Sequence, residues 1–199
     1  MWTRRAFLTL TASLMAAPIN LMTTASTSLP VETGILPGGG AIALPLVSPR
    51  IIVTKSKRRL RLYSGEKLVR EYRVGLGLSP IEDKIKAGDR RTPEGEFYIC
   101  RKNARSKFYL SLELSYPNKP HADRGLRDGL ISGAQYNQII TALQNKGVPP
   151  QNTHLGGEIF IHGNGSGSDW TWGCVALEDK DVKELFEIIP VGTPVTIEH

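Results

Sequence analysis

The sequence predicts a mainly β domain with two packed α-helices. Short runs of β-branched and aromatic residues, separated by turn residues, occupy most of the chain after residue 49. Only two stretches place apolar residues at helical spacing. A chain of 199 residues can form one such domain with a sizeable core. We therefore expect a single domain over residues 49–199.

The predicted strands have the composition of half-buried β structure. They cover residues 51–54, 60–63, 68–74, 97–100, 159–162 and 194–197. Ser64, Gly65 and Glu66 separate the second strand from the third and favour a hairpin turn. The strands are therefore expected to form a mainly antiparallel sheet.

Each predicted helix has one apolar stripe at spacings of i, i+3, i+4 and i+7. The stripe of the first consists of Tyr136, Ile139, Ile140 and Leu143. That of the second consists of Val182, Leu185, Phe186 and Ile189. Ser132 and Gln135 form a capping box for the first helix, and Gly147 ends it. Asp179 is the expected N-cap of the second, and Pro190 ends it.

The N-terminal region has the layout of an export signal followed by a linker. Arg4 and Arg5 precede a mostly apolar stretch, so residues 1–25 are predicted to direct export to the periplasm or cell envelope. The paired arginines fit a twin-arginine signal, and an ordinary secretory signal is the alternative. Residues 26–48 are rich in Ser, Thr, Pro and Gly, which predicts a flexible linker. No membrane-spanning segment is expected once the signal is removed.

The charge and the cysteines exclude several classes of protein. The formal net charge is +6, without a basic stripe interleaved with aromatic residues, so nucleic acid is not an expected partner. The two cysteines are Cys100, within a predicted strand, and Cys174, in a setting that suits a reactive thiol, so we do not expect a disulfide between them. The absence of a C-x-x-C or H-E-x-x-H pattern predicts no metal site.

The chemically informative segment joins a histidine to a cysteine. His162 ends a predicted strand, and Cys174 follows twelve residues later. Gly165 and Gly167 allow the intervening loop to fold back and bring the thiol beside the imidazole. Because a free thiol has a pKa of about 8.5 and the thiolate is the nucleophile, a neighbouring histidine can take its proton. The residues alone also fit a buried structural cysteine near a hydrogen-bonded histidine.

Two motifs carry a family resemblance. The first is His162-Gly163 followed by Thr171-x-Gly173-Cys174-Val175, and it resembles the H-G … [S/T]-x-G-C-[IV] signature of the YkuD-type L,D-transpeptidase catalytic domain. Residues 88–97 are similar to the G-D-x-x-T-P-x-G-x-[FY] stretch of the same family. The resemblance covers roughly residues 50–197. It implies a YkuD-like antiparallel β sandwich or barrel.

The resemblance also implies roles for individual residues. Cys174 is the expected nucleophile, which attacks the carbonyl between the diamino acid and the terminal D-alanine of a peptidoglycan stem tetrapeptide. His162 is the expected general acid/base, oriented by the backbone carbonyl of Gly163. Backbone N–H groups of Trp172, Gly173 and Cys174 are expected to cradle the oxyanion. The thioester then passes to an amine, on another stem or on an envelope protein, or to water, and no cofactor is needed.

Two departures from the family pattern leave the reaction open. Trp172 stands where the family often has His, and Ala176 stands where it often has Arg. The pattern around Cys174 also resembles a branch that hydrolyses bonds to the stem peptide. The alternatives are therefore a hydrolase of the same family, a non-catalytic peptidoglycan-binding module, and a zinc hydrolase using His154, His162 and Cys174.

Four further side chains are candidates for contacting the substrate. Thr171 is expected to shape the turn before the cysteine. Trp170 and Trp172 flank Thr171 and are expected to line a peptide groove, although tryptophans in loops also serve as packing caps. His154 either lines the site or is an ordinary loop histidine, and the loop position is favoured.

Overall fold

The computed structural model describes residues 42–199. Eight strands within this range form a curled sheet: β1 Pro49–Thr54, β2 Arg59–Ser64, β3 Lys67–Arg73, β4 Gly95–Ser106, β5 Tyr109–Leu114, β6 Phe160–His162, β7 Val175–Ala176 and β8 Pro194–Glu198. Three helices accompany it: α1 Lys119–Arg127, α2 Gly133–Gln144 and α3 Asp179–Ile188. Of these helices, none has the length and apolar character to cross a bilayer. The predicted export signal and the predicted linker up to residue 41 lie outside the described residues.

The strands follow the order β3-β2-β1-β8-β4-β5-β6-β7 across the sheet. Most neighbours are antiparallel, and the hairpin between β2 and β3 forms across Gly65 as expected. Two pairs are parallel, β1 with β8 and β6 with β7. The predicted fold class, a mainly β domain with packed helices, is confirmed. Strands β5 and β7 were not predicted, and β7 has only two residues, too few to produce an alternating pattern.

The core lies between the curled sheet and α3. Buried side chains of every strand contribute to it, and Val182 and Leu185 of α3 are fully buried among them. A second, smaller cluster packs α1 and α2 together. It consists of Ala122, Ile131, Ile139 and Leu155. The apolar stripes of both predicted helices therefore face the interior, as the spacing predicts.

The helix ends show one confirmed cap, one correction and one helix that the pattern missed. The capping box of α2 is present, with Gln135 N–H donating to Ser132 Oγ at 3.2 Å. Asp179 is not the N-cap of α3: Glu178 occupies that position, and neither acid caps the helix because both bind an adjacent loop. Helix α1 begins after Asn118 and lacks an apolar stripe, which explains why periodicity did not predict it.

The last residues of the predicted linker pack against the domain. Ile42 and Leu46 contact the core. Val47 pairs with the β2–β3 turn, since its N–H donates to Ser64 Oγ at 2.9 Å and its carbonyl accepts from Gly65 N at 2.6 Å. The ordered chain thus extends to the N-terminal side of residue 49.

Candidate active site

His162 and Cys174 lie on neighbouring parallel strands. His162 is the last residue of β6 and pairs with Ala176 of β7, and Cys174 comes immediately before β7. Side chains of register partners in parallel strands share a face, and so do residues two apart along one strand. The thiol therefore lies on the same face as the imidazole. The N–H of Phe160, two residues before His162, donates to Cys174 Sγ at 3.4 Å.

The imidazole of His162 has a single possible tautomer. Its Nδ1 lies 2.7 Å from the carbonyl oxygen of Gly163. Because a carbonyl only accepts hydrogen bonds, Nδ1 carries the proton and Nε2 is left as an acceptor. Phe108 stacks on the ring at 4.5 Å between centroids, and the ring of Trp170 meets it nearly edge-on at 5.5 Å. These contacts fix the orientation of the imidazole.

The protonation state of His162 suits a base. Burial lowers the pKa of this imidazole, and the hydrogen bond to the Gly163 carbonyl opposes that shift only in part. The side chain is 1% exposed. Near neutral pH the ring is therefore uncharged, with Nε2 free to accept a proton.

The thiol of Cys174 is protonated at rest. Burial raises its pKa to about 11, while the Phe160 N–H and the charge of Lys84 act in the opposite direction. The thiol donates to the carbonyl oxygen of Glu158 at 3.5 Å, and no thiol–imidazole hydrogen bond occurs within residues 42–199. The resting thiol is therefore hydrogen-bonded to the backbone and not to His162.

Thr171 and Gly173 shape the turn that presents the thiol. Thr171 Oγ1 accepts from Gly173 N–H at 3.1 Å and donates to the Cys174 carbonyl at 2.9 Å. Gly173 has φ +129°, and a Cβ there would lie 2.7 Å from the carbonyl oxygen of Arg91. Only glycine fits this position. The expected turn-shaping role of Thr171 agrees with these contacts.

The three N–H groups of the expected oxyanion cradle differ in their hydrogen bonds. The N–H of Gly173 donates to Thr171 Oγ1. The N–H groups of Trp172 and Cys174 donate to no group of residues 42–199. The N–H groups of Trp172 and Cys174 are therefore the candidate donors to an oxyanion.

Replacing Thr171 by valine is expected to lower the free energy of unfolding by about 2 kcal/mol, because two buried backbone groups lose their partner. In a domain of this size that corresponds to a decrease in Tm of roughly 4–8 °C. Differential scanning calorimetry of Thr171→Val beside Thr171→Ser, which keeps the hydroxyl, measures the effect. Equal stability of both variants and the wild type would show that these bonds contribute nothing.

The loop between the two candidate residues is fastened at both ends. Asn164 N–H donates to Asp179 Oδ1 at 2.8 Å, and Ser166 N–H donates to Glu178 Oε1 at 2.8 Å. Asp169 binds the guanidinium of Arg58 at 2.7 Å and accepts from Leu76 N–H at 2.9 Å. The loop thus folds back onto the start of α3 and onto the sheet. The chain then continues as β7, which pairs with β6.

The remaining predicted residues have distinct surroundings. Trp172 is 67% exposed, with the guanidinium of Arg90 4.8 Å from its ring centroid. Trp170 is half-buried against His162, and its Nε1–H donates to the Gly165 carbonyl at 3.0 Å, so it contacts the imidazole ring. His154 is exposed in a loop. Cys100 is a free thiol in β4 that donates to the Glu113 carbonyl.

Among residues 42–199, no three His, Cys, Asp or Glu side chains are grouped so as to hold a metal ion.

Sequence reasoning missed Phe108, which stacks on His162. It lies in the tight turn between β4 and β5, and its carbonyl accepts from Gly163 N–H at 3.0 Å. The signal was present: residues 108, 110, 112 and 114 are apolar and alternate with other residues, which is typical of a strand. Recognition of β5 would have placed this turn beside β6, because Ser111 pairs with His162.

A curled sheet that brings a thiol and a backbone-oriented imidazole to the same face defines a class of β domains with a cysteine–histidine site. The L,D-transpeptidase catalytic domain (YkuD) is of this class, and its family model matches residues 48–197. The chain belongs to this family. The family membership that the two motifs indicated is thereby confirmed.

Solved structures with similar folds include three L,D-transpeptidases or related proteins. The helical cell shape determining protein Pgp2 of Campylobacter jejuni (K307A mutant) is 22% identical, with a TM-score of 0.50 over 77% of this chain and 48% of that chain. An L,D-transpeptidase of Xylanimonas cellulosilytica is 15% identical, with a TM-score of 0.45 over 80% of this chain and 64% of that chain. An L,D-transpeptidase of Mycobacterium smegmatis is 9% identical, with a TM-score of 0.46 over 76% of this chain and 59% of that chain.

This chain thus spans about half to two thirds of the length of these proteins, and the likeness concerns the fold alone. A comparison with curated protein sequences gave no match.

Proposed function

We propose that the protein is a peptidoglycan-modifying cysteine acyltransferase that acts outside the cytoplasm. Its donor is a stem tetrapeptide, cleaved at the bond between the diamino acid and the terminal D-alanine, and its acceptor is an amine. The observation that carries the proposal is the position of Cys174 on the same face as His162, whose Nδ1 is bound to the Gly163 carbonyl. Membership of the L,D-transpeptidase family supports the donor.

The geometry supports acylation in one proton-coupled step. As Sγ of Cys174 attacks the donor carbonyl carbon, its proton passes to Nε2 of His162. The N–H groups of Trp172 and Cys174 stabilise the oxyanion of the tetrahedral intermediate. Collapse of the intermediate breaks the C–N bond, and Nε2 returns the proton to the departing D-alanine amine. A thioester on Cys174 remains.

Deacylation reverses the roles of the same groups. The neutral imidazole takes a proton from the acceptor amine as its nitrogen attacks the thioester, and the thiolate leaves and is reprotonated. Water can replace the amine, which would make the enzyme an L,D-carboxypeptidase of the same family. The two reactions share the first half and differ in the acceptor alone.

Incubation with purified tetrapeptide muropeptides is expected to release D-alanine and to form cross-linked dimers, which mass spectrometry identifies. Added glycine or a D-amino acid, as amine acceptors, should be incorporated in place of the D-alanine. Tripeptides as the only product, with and without added amine, would assign the protein to the hydrolases. If intact muropeptides bind without any turnover, a non-catalytic module is left and the proposal fails.

A further inference from the structure

Three charged residues lie around the candidate site: Lys84 and Glu158, whose charges act on the Cys174 thiol, and Arg90, beside Trp172. Downstream of Cys174, the side chains of residues 175–177 are apolar and buried, and His162 is itself buried and uncharged. Upstream, Trp172 is exposed and carries the guanidinium of Arg90 on its ring. Lys84 is buried and paired with Asp89, so Arg90 is the exposed cation in contact with the turn that presents the thiol.

The backbone on both sides of Trp172 is fastened by hydrogen bonds, and the side chain of Trp172 is exposed. Its neighbours Thr171 and Gly173 are buried and joined by a hydrogen bond. Thr171 also binds the adjoining segment, donating to the Leu76 carbonyl and accepting from Leu78 N–H, both at 3.0 Å. The fastened backbone thus places an exposed indole two residues from the candidate nucleophile.

The backbone of Arg90 has an unfavourable conformation that a hydrogen bond holds in place. Its φ of +58° lies in the left-handed region, which is unfavourable for a residue other than glycine. Its carbonyl accepts from Ser79 N–H at 3.0 Å, which fastens the backbone in this conformation. The result is a guanidinium that lies over the indole, so its in-plane N–H groups remain available to a ligand.

The acids near Arg90 in sequence are bound to other cations. Asp89 pairs with Lys84, Asp83 with Arg124, and Glu82 with Arg91. Arg90 has no acidic partner within residues 42–199. A guanidinium with free N–H groups beside an apolar ring is suited to a carboxylate, which it binds with two parallel hydrogen bonds.

We propose that Arg90, stacked on Trp172, binds a carboxylate of the donor stem peptide and thereby determines specificity. This inference rests on the proposed function. A stem tetrapeptide offers a carboxylate on the terminal D-alanine and another on the isoglutamyl residue. Both have the chemistry that this pair recognises, and separate substrates distinguish them.

The test measures kcat/KM with three synthetic tetrapeptides: one with free carboxylates, one amidated at the terminal D-alanine and one amidated at the isoglutamyl residue. Wild type is expected to prefer the free peptide over one of the two amides. Arg90→Gln should reduce this preference by about fivefold or more, mainly through KM. Because amidation also alters the leaving amine, the preference is compared between variants. That comparison cancels intrinsic reactivity.

Further variants separate charge, shape and fold. Arg90→Lys keeps the charge without the planar fork and should retain part of the preference. Arg90→Gly relieves the left-handed backbone, so it should lose the preference without a decrease in Tm. Arg127→Gln removes an exposed arginine of α1 whose acidic partner within residues 42–199 is the adjacent Asp128, and it should behave as the wild type.

A preference in Arg90→Gln within twofold of the wild-type value, for both amides, would overturn the inference and leave the proposed function intact. Equal turnover of all three peptides by the wild type would do the same. A wild-type protein that turns over none of them would contradict the proposed function itself, and the inference with it.

Discussion

Replacing Cys174 by alanine is expected to lower the rate of D-alanine release by roughly 10⁴-fold or more, since hydrogen bonds to the oxyanion and substrate binding alone leave little catalysis. The variant should also form no acyl-enzyme. Intact-protein mass spectrometry after acid quenching measures this directly: wild type with excess donor should gain the mass of the acyl tripeptide, and Cys174→Ala should gain nothing. The variant should keep its fold, because alanine fills the buried position without a new polar group.

Cys100 provides the matched control. It is also a free thiol, half-buried in β4, and burial together with the charge of Glu113 raises its pKa to about 12. No histidine contacts it within residues 42–199. Cys100→Ala should therefore be acylated as fully as the wild type. Acylation that persists in Cys174→Ala and disappears in Cys100→Ala would identify Cys100 as the nucleophile and overturn the proposed mechanism.

The sequence predicted those parts of the fold whose pattern is local. Strands β1, β2, β3, β6 and β8, the first part of β4, and helices α2 and α3 have apolar residues in runs or periods long enough to predict. Helix α1 does not, because Pro120 and Gly125 leave it with a single fully buried apolar side chain, Ala122. The parallel pairing of β1 with β8 joins residues more than 140 positions apart, and no local pattern specifies it.

The candidate site divides in the same way. His162, Gly163 and Cys174 could be predicted because a strand end, a glycine-rich loop and a family motif coincide there. The stacking of Phe108 on His162 depends on how a distant hairpin meets β6. The use of the Gly173 N–H by Thr171 depends on the exact turn. The raised pKa of the Cys174 thiol, to about 11, depends on burial, which spacing does not reveal.

Replacing His162 by glutamine is expected to lower the rate of acylation about 10³-fold near neutral pH, within the range for loss of a general base. Glutamine removes the titrating nitrogen and keeps a polar side chain of similar length. The measurement is the single-turnover rate of acyl-enzyme formation, followed by rapid quenching and mass spectrometry. His154→Gln, at an exposed loop histidine, is the matched control and should react at the wild-type rate.

The pH dependence distinguishes a lost base from a disturbed site. In the wild type, the neutral imidazole is the active form, and burial lowers the pKa of His162 below its usual value of 6.5. Acylation should therefore decline on the acid side only below about pH 6.5 and stay level above it. The glutamine variant must rely on the thiolate. Because burial raises the thiol pKa to about 11, the thiolate fraction rises about tenfold per pH unit below that value.

The ratio of the wild-type rate to the variant rate should thus shrink from about 10³ near pH 7 to roughly 10 near pH 9, since only the variant accelerates as the thiol ionises. A ratio that stays constant over this range would mean that glutamine disturbs the site and that His162 does not take the thiol proton. A ratio near one at every pH would remove the imidazole from the reaction. The proton path from Sγ to Nε2, on which the acyltransfer chemistry depends, is tested by this slope.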